Sequence, residues 1–290
     1  MSDVWELVGE ATRRFEVAGV PSPRFDAEEL AAHVLGTTRG RLRSAAAFDA
    51  DQAAAYAAAV DRRVGREPLQ HIIGTAPFRY LEVAVGPGVF TPRPETELVA
   101  GWAIERATEI AAAGRSPLVV DLCSGSGAIA LALAHEVPTA RVHAVELSAD
   151  ALVWTHRNAE GTRVVVHEAD ALTALPELDG LVDVVTANPP YIPADGLIRD
   201  PEVLAHEPPM ALWGTGPDGL DLVRGVALTA ARLLRRGGFF VVEHADVQSA
   251  SVVALLAQQA GWVDIAGHRD LAGRDRFATA VRKDPDEPPV

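Results

Sequence analysis

From residue 118 onward, short apolar runs alternate with stretches of helical composition, and this alternation limits the folds that the chain can adopt. Apolar runs without polar alternation are typical of strands that are buried on both faces of a parallel sheet. Strands that alternate with helices predict an α/β fold, with helices covering both faces of the sheet. The predicted strands are residues 118–120, 142–145, 164–166, 182–186 and 239–242.

The N-terminal residues have a different pattern, with apolar positions at helical spacing. They predict a first helix that ends at Gly19 and a second helix that Asp26 caps. Asp49 or Asp51 is predicted to begin a third, alanine-rich helix. Since the segment carries no visible chemistry, residues 1–70 are interpreted as a small all-helical domain for packing or docking.

The segment that follows mixes aromatic and β-branched residues with Gly and Pro. This composition predicts a short β-hairpin, which would link the two domains over residues 71–92. Pro94 is predicted to lie in the first turn of the next helix, and Gly114 is predicted to end that helix. Residues 93–290 then make up the α/β domain.

The composition excludes several classes of protein. A single cysteine among 290 residues excludes an intramolecular disulfide framework, and the spacing of the nine histidines predicts no metal site. A formal net charge of −14 argues against binding nucleic acid through overall charge. No apolar run approaches the roughly 18 residues of a membrane span, and the N-terminus has no signal-peptide core, so we expect no membrane association and a cytoplasmic location.

A glycine loop follows the first predicted strand, in the segment LVVDLCSGSGAIALALA. Gly125 and Gly127 permit a sharp turn and the close approach of a ligand, because neither has a Cβ. The helix that follows presents free N–H groups to a polar or anionic ligand. The loop also fits the loose G-x-G-x-x-A pattern of dinucleotide sites, which leaves a nicotinamide cofactor as an alternative.

Three carboxylates lie at the predicted carboxyl ends of strands, where such sheets bind ligands. Glu146 is placed to accept hydrogen bonds from ribose hydroxyls, and Asp170 to accept one from the adenine amine. Asp121 is placed to hold a charged amino-acid group or to position the glycine loop. A carboxylate before the loop favours S-adenosyl-L-methionine (SAM), which carries an ammonium group, over a pyrophosphate.

The fourth predicted strand is followed by Asn188, Pro189, Pro190 and Tyr191. The prolines stiffen the loop, so that the Asn188 side-chain oxygen and the Pro189 carbonyl are placed to accept both hydrogens of one planar NH2 group. Tyr191 is placed to cover the flat face of that group. This pattern predicts methyl transfer to an amide or aniline-like nitrogen, with catalysis through positioning and electrostatics.

Over nearly its full length the chain resembles the bacterial release factor glutamine methyltransferases, the HemK family. The resemblance rests on EPLQHIIGTAPF, VFTPRPETELV, DLCSGSGAIALALA, NPPYIP, HEPPMALWGTGPDGLDLVRG, GGFFVVEHADVQ and DLAGRDRFATA. It implies a Rossmann-like, class I SAM-dependent methyltransferase domain, a small N-terminal helical domain and a β-hairpin linker. It also implies a protein substrate, the glutamine in the Gly-Gly-Gln loop of class I peptide chain release factors.

The resemblance also implies roles for individual residues. Glu146 would be the ribose ligand and Asp170 the adenine-side acid, while Asn188 would serve both cofactor and substrate. Pro189, Pro190 and Tyr191 would complete the glutamine clamp. The cofactor loop would comprise Cys123, Ser124, Gly125, Ser126 and Gly127, with Arg93, Glu95 and Thr96 over the cofactor.

Two positions depart from the family pattern, since Cys123 and Ala245 stand where glycine is common. If position 123 needs a positive φ, cysteine is strained there. Neither change removes a polar group that the chemistry needs, so an effect on affinity is expected more than one on activity.

Three alternatives remain open at this point. A nucleic-acid amino-methyltransferase would use the same clamp on adenine, but the acidic charge and the absence of a basic, aromatic-rich recognition domain argue against it. An inactive relative or binding module is disfavoured by the intact Asp121, Glu146 and NPPY segment. A nicotinamide oxidoreductase leaves the NPPY segment unexplained.

Overall fold

The computed structural model describes residues 2–44, 47–198 and 200–283, and the chain divides into two compact units. The helical unit comprises residues 1–75 and 198–206, and the sheet unit comprises residues 76–197 and 207–290. The sequence had placed residues 198–206 in the α/β domain, whereas the structure groups them with the helices.

In the first part of the helical unit, side chains of the predicted capping type begin two of the helices. Asp3 accepts hydrogen bonds from the N–H groups of Trp5 and Glu6 and thereby caps the first helix. Asp49 and Gln52 form a reciprocal capping box, which decides between the two predicted starts of the alanine-rich helix. The elements are β1 Ser2–Asp3, α1 Val4–Val17, α2 Pro23–Val34, a 3-10 helix Arg39–Ser44, β2 Ala47–Phe48, α3 Ala50–Val64 and α4 Leu69–Ile73.

The prediction that Asp26 caps the second helix is wrong. Helix α2 begins at Pro23, so Asp26 lies inside the helix, where its carboxylate is buried and contacts Arg63 at 2.7 Å. Burial raises the pKa of Asp26, and the Arg63 guanidinium opposes that rise. Arg63 also contacts Glu202 at 2.8 Å, so an ion pair fastens residues 198–206 within this unit.

All but one of the remaining elements lie mainly in the sheet unit. The helix after Pro94 spans Thr96–Ala112, so Pro94 precedes this helix instead of lying in its first turn. No helix in the described ranges has the length and apolar composition needed to cross a membrane. The elements are β3 Thr75–Phe78, β4 Leu81–Ala84, α5 Thr96–Ala112, β5 Leu118–Leu122, α6 Ala128–Glu136, β6 Arg141–Glu146, α7 Ala149–Ala159, β7 Val165–Glu168, a 3-10 helix Pro176–Leu178, β8 Val182–Ala187, α8 Pro201–His206 (in the helical unit), α9 Pro209–Leu212, α10 Asp221–Leu233, β9 Leu234–Glu243, a 3-10 helix Asp246–Gln248, α11 Ser249–Gln258, β10 Trp262–Arg269 and β11 Asp275–Arg282.

The predicted hairpin forms from β3 and β4, which make a two-stranded sheet. Its predicted range began too early, because residues 71–73 end the short helix α4. Gly74 follows that helix with a φ of +86°, a conformation that favours glycine and turns the chain into the hairpin.

The main sheet has seven strands in the order β10-β11-β9-β8-β5-β6-β7. All five predicted strands are present and run parallel, in the block from β9 to β7. The sheet also contains two strands that the sequence analysis did not predict, and they make it mixed, because β11 pairs antiparallel with both β9 and β10. The sequence did not predict these two strands because polar residues interrupt their apolar pattern. The pairing of β10 with β11 is also irregular in register.

Both faces of the central strands are buried, which explains their continuous apolar sequence. Val119 and Val184 belong to one apolar core, with α5, α6 and the hairpin. Their neighbours Val120 and Val185 belong to the core on the opposite face, with α10 and α11. Strand order reverses between β5 and β8, so the loops that follow these two strands flank the crevice where sheets of this kind bind ligands.

Candidate active site

The glycine loop between β5 and α6 makes the sharp turn that its sequence predicts, with a left-handed backbone at both glycines. Gly125 has a φ of +57° and Gly127 a φ of +84°. A Cβ at Gly127 would lie 3.3 Å from Thr155, whereas a Cβ at Gly125 would have no neighbour within 4 Å. Gly127 therefore permits close packing against α7, and Gly125 borders open space that a ligand can use.

Other atoms of the loop are fixed by hydrogen bonds from its surroundings. The Ser124 N–H donates to the carbonyl of Val145 over 3.0 Å. The hydroxyl of Thr155 donates to the Gly125 carbonyl over 2.6 Å, and the amide of Asn158 donates to the Ser126 carbonyl over 2.9 Å. Strand β6 and helix α7 thus hold the loop in place before any ligand binds.

Asp121 is fully buried at the end of β5 and ties the loop to β8. One carboxylate oxygen accepts the hydroxyl of Ser124 over 2.6 Å, and the other accepts the hydroxyl of Thr186 over 2.7 Å. Burial raises the pKa of Asp121 to about 6, against these two donors. Of the two roles predicted for Asp121, the geometry shows the positioning of the loop.

Glu146 at the end of β6 is anchored by three backbone N–H groups. Its Oε1 atom accepts from Leu147 over 2.9 Å and from Ser148 over 2.8 Å, while Oε2 accepts from Gly125 over 2.8 Å. A carboxylate oxygen has two lone pairs, so Oε2 retains one with which to accept a ligand hydroxyl. The predicted contact with both ribose hydroxyls would therefore depend chiefly on Oε2.

Asp170 is exposed and follows β7, with Oδ1 accepting the N–H of Leu172 over 2.9 Å. Cys123 lies near enough to Glu146, Asp121 and Asp170 for all three carboxylates to add to burial in raising the pKa of its thiol. Asp121 and Glu146 both bond to the glycine loop, and the residue before Asp170 donates its N–H to the carbonyl of Glu146 over 3.0 Å, so the three predicted acidic residues lie at neighbouring strand ends.

The two departures from the family pattern differ in their backbone. Cys123 has a φ of +59°, in the left-handed region that favours glycine, so a cysteine is strained at this position. Ala245 has a φ of −68°, which any residue adopts, so no glycine is required there.

Asn188 directly follows β8 and reaches towards the start of α5. Its side-chain nitrogen donates to the hydroxyl of Thr96 over 3.4 Å, and that hydroxyl donates to Oε2 of Glu243 over 2.7 Å. Oε1 of Glu243 accepts the hydroxyl of Tyr191 over 3.0 Å. One buried carboxylate at the end of β9 thus joins the NPPY loop to the first residue of α5.

The backbone of the NPPY loop is also fixed. The Tyr191 carbonyl accepts the side-chain amide of Gln248 over 2.7 Å, and the same amide nitrogen donates to the Asp218 carbonyl over 2.9 Å. A Cβ at Gly219 would lie 2.6 Å from the Tyr191 carbonyl oxygen, so only glycine fits there. The segment GTGPDGL therefore packs closely against the NPPY loop.

Arg93 and Glu207 form a second buried connection in the sheet unit. Arg93 donates to Oε1 of Glu207 over 3.0 Å, and Oε2 accepts the N–H of Thr91 over 3.1 Å. Burial raises the pKa of Glu207, and Arg93 opposes that rise. Thr91 and Arg93 both donate to its carboxylate, so Glu207 holds residues 91–93 against the segment that precedes α9. In the described ranges no group of three His, Cys, Asp or Glu side chains is arranged to hold a metal ion.

Sequence reasoning missed Glu243 and Thr186, which hold the predicted site residues in place. Glu243 lies at the carboxyl end of a predicted strand, as Glu146 does, and that position was the available signal. Thr186 lies opposite Asp121 in the register of β8 with β5, which requires knowledge of the strand order.

Comparison with known proteins agrees with this architecture in both parts of the chain. Residues 6–74 match the family model described as the PrmC N-terminal domain, and residues 119–197 match one described as a methyltransferase domain. A release factor glutamine methyltransferase of Streptomyces coelicolor is 58% identical over 276 residues, which cover 94% of this chain and 96% of the relative. The chain belongs to the release factor glutamine methyltransferase family.

Two further relatives of this methyltransferase are informative. A release factor glutamine methyltransferase of Mycolicibacterium smegmatis is 49% identical, over 97% of this chain and 99% of the relative. A 4-amino-L-phenylalanine/4-methylamino-L-phenylalanine methyltransferase of Streptomyces pristinaespiralis is 41% identical, over 98% and 97%. Family membership confirms the predicted fold class and the prediction that the protein is an enzyme of the methyltransferase class.

Proposed function

We propose that this methyltransferase transfers the methyl group of SAM to the side-chain amide nitrogen of the glutamine in the Gly-Gly-Gln motif of class I peptide chain release factors. The observation that carries the proposal is the fixed position of Asn188 and Tyr191 after β8, next to the strand that leads into the glycine loop. The names of the relatives agree with a release factor substrate. A cytoplasmic location is part of the same proposal.

The chemistry of the loop residues fits SAM. The ammonium group, the ribose hydroxyls and the adenine amine of SAM all donate hydrogen bonds, and the groups at the end of the loop are acceptors. Glu146 would take the ribose and Asp170 the adenine amine, while open space beside Gly125 leaves room for a ligand. When bound, SAM supplies an electrophilic methyl group.

The clamp residues would act on the weakly nucleophilic amide nitrogen. The Asn188 side-chain oxygen and the Pro189 carbonyl would accept the two hydrogens of the glutamine NH2 group, and Tyr191 would cover its flat face. Both acceptors increase electron density on nitrogen and orient it, so that catalysis comes from position and electrostatics. No base is needed before transfer, because the proton leaves the methylated cation afterwards.

The helical unit is proposed to dock the release factor. Deleting residues 1–75 should then lower kcat/KM for intact release factor much more than for a short Gly-Gly-Gln peptide. An equal loss on both substrates would assign the helices to stability alone. Because Arg63 and Arg66 both contact Glu202, the deletion is best combined with Glu202→Gln, which removes the largely buried carboxylate that would otherwise lose both partners.

The decisive experiment offers labelled SAM to the purified protein with several acceptors in parallel. We expect label in release factor, mapped by mass spectrometry to the side chain of the motif glutamine, and none in a release factor with glutamate at that position. Transfer RNA and DNA test the nucleic-acid alternative, and 4-amino-L-phenylalanine tests an aniline substrate like that named for the Streptomyces pristinaespiralis relative. Label in any of these three, with release factor unlabelled, would overturn the proposal.

A further inference from the structure

The side-chain amide of Asn188 has two ends, and only one of them suits the proposed substrate. An amide oxygen accepts hydrogen bonds and an amide NH2 group donates them. A glutamine NH2 group also donates, so it needs the oxygen of Asn188 facing it. A rotation of the Asn188 amide by half a turn would place two donors against each other.

The hydrogen bonds behind Asn188 run in a single direction. A glutamate carboxylate has acceptors only, so the hydroxyl of Thr96 must donate its one hydrogen to Oε2 of Glu243 over 2.7 Å. Thr96 is then left with lone pairs alone. It receives a hydrogen from the side-chain nitrogen of Asn188 over 3.4 Å, which commits the NH2 end to Thr96.

The second oxygen of Glu243 is engaged as well. It accepts a hydrogen bond from the hydroxyl of Tyr191 over 3.0 Å, so each oxygen of the carboxylate accepts one hydrogen bond, from Thr96 and from Tyr191. Burial and the negative charge of Glu95 raise the pKa of Glu243, whereas the hydrogen bonds from Thr96 and Tyr191 and the positive charge of Arg276 favour the ionised form. Glu243 is only 2% exposed, so bulk solvent does not reach these contacts.

We propose that Glu243 is a positioning residue that fixes, through Thr96, which end of the Asn188 amide faces the substrate. The carboxylate sets the direction of the relay Asn188–Thr96–Glu243, and the amide oxygen of Asn188 is thereby presented as an acceptor. The same carboxylate holds the ring of Tyr191. This inference rests on the proposed glutamine substrate for its functional meaning, while the direction of the relay does not depend on any substrate.

The substitution that tests the direction is Glu243→Gln, which keeps the shape and introduces donors. A glutamine NH2 group at this position can donate to Thr96, whose hydrogen is then free to donate to the oxygen of Asn188. The Asn188 amide would turn its NH2 group to the substrate. Removing one preorganised polar contact costs about 10²–10³-fold in kcat, and we expect a loss of this size with SAM affinity retained.

Substitutions of Thr96 test the same relay without touching the carboxylate. Thr96→Val removes the hydroxyl and should lower kcat as Glu243→Gln does. Thr96→Ser restores a hydroxyl and should recover most of the activity that Thr96→Val loses. If Glu243→Gln fails to fold, this pair still decides the proposal.

Asp183→Asn is the matched control for loss of a buried charge. Asp183 is likewise 2% exposed in the same sheet, but it lies at the start of β8 and contacts Arg115 at 2.9 Å and Arg235. This variant should lose thermal stability and keep kcat. A fall in kcat equal to that of Glu243→Gln would show that the effect is general destabilisation, and the proposal would be wrong.

A readout of the amide itself separates the relay from the substrate assignment. In 1H–15N spectra of the protein without substrate, the Asn188 side-chain resonances are those that disappear in Asn188→Asp. We expect Glu243→Gln and Thr96→Val to shift them and to speed their hydrogen exchange, with Asp183→Asn leaving them in place. Unchanged resonances would overturn the relay, whereas shifted resonances in a protein that methylates no glutamine would leave the relay standing and overturn the proposed function.

A second readout uses the polarity of the ligand. Wild-type protein should bind a Gly-Gly-Gln peptide in preference to Gly-Gly-Glu, because a glutamate carboxylate offers only acceptors to the clamp. With the amide of Asn188 reversed in Glu243→Gln, the preference should narrow or invert. An unchanged preference in a folded variant with lowered kcat would assign Glu243 to structure alone.

Discussion

The backbone N–H of Gly125 donates to Oε2 of Glu146 over 2.8 Å, so the glycine loop and the neighbouring strand end share one carboxylate. The residue predicted to bind ribose therefore also shapes the loop against which the cofactor would lie. Binding and preorganisation depend on the same side chain.

Glu146→Ala should weaken SAM binding, because it removes the ribose acceptor and the anchor of three N–H groups. Hydrogen bonds to a charged group contribute about 1.5–3 kcal/mol, which corresponds to a roughly 10- to 150-fold higher Kd in calorimetry. Glu168→Ala is the control, since Glu168 lies opposite Glu146 in register but is exposed. Equal affinities for wild type and Glu146→Ala would remove Glu146 from the cofactor site.

Asn188→Ala removes one of the two proposed acceptors and leaves the glycine loop intact. We expect kcat to fall by about 10²–10³-fold and KM to rise less, since the contact matters most as nitrogen becomes cationic. Asn188→Asp keeps an acceptor and should retain more activity than Asn188→Ala. Glutamine methylation by Asn188→Ala at close to the wild-type rate would reduce the NPPY segment to a rigid turn.

The buried Asp121 makes the stability of the protein depend on pH. Its pKa is raised from 3.8 to about 6 in the folded state, so this contribution to stability is present at low pH and is lost as pH rises through 6. Relative to Asp121→Asn, the wild-type free energy of unfolding should fall by roughly 1 kcal/mol between pH 5 and pH 7.5. Urea unfolding at the two pH values measures this difference, and a difference that grows with pH would contradict the assignment.

Arg63 is expected to be the most sensitive charged position of the helical unit. Arg63→Met leaves the buried Asp26 and the largely buried Glu202 without this partner, and breaking a buried pair costs about 3–5 kcal/mol. Arg14→Met breaks an ion pair of similar length with Asp61 that is exposed to solvent, and should cost at most about 1 kcal/mol. Thermal unfolding that ranks the two variants the other way would refute this account.

Much of the sheet unit could be predicted from sequence because its information is local. Strands buried on both faces have continuous apolar runs, and a glycine loop between a strand and a helix places Asp121 and Glu146 at one edge. The strands β10 and β11 could not be predicted in this way, since their sequences are not continuously apolar and their pairing depends on contacts between distant parts of the chain. Asp26 was misassigned because its partner Arg63 is 37 positions away in the chain.

The partners of the clamp lie equally far apart in sequence. Tyr191 and Glu243 are separated by 52 positions, and Thr96 and Glu243 by 147. Residue types and motif spacing identified Asn188 and Tyr191, but the carboxylate that holds them became visible only with the order of the strands.

The discontinuity of the helical unit limits how it can be exchanged between relatives. The chain leaves this unit after residue 75, returns at 198 and leaves again at 206, so no single cut separates the two units. Arg63, Arg66 and Glu202 must be inherited together for the returning segment to keep its ion pairs. A chimera that exchanges only the first 75 residues would combine Arg63 and Arg66 positions from one relative with the Glu202 position from another. A chimera that also exchanges residues 198–206 would keep the ion pairs of one protein together.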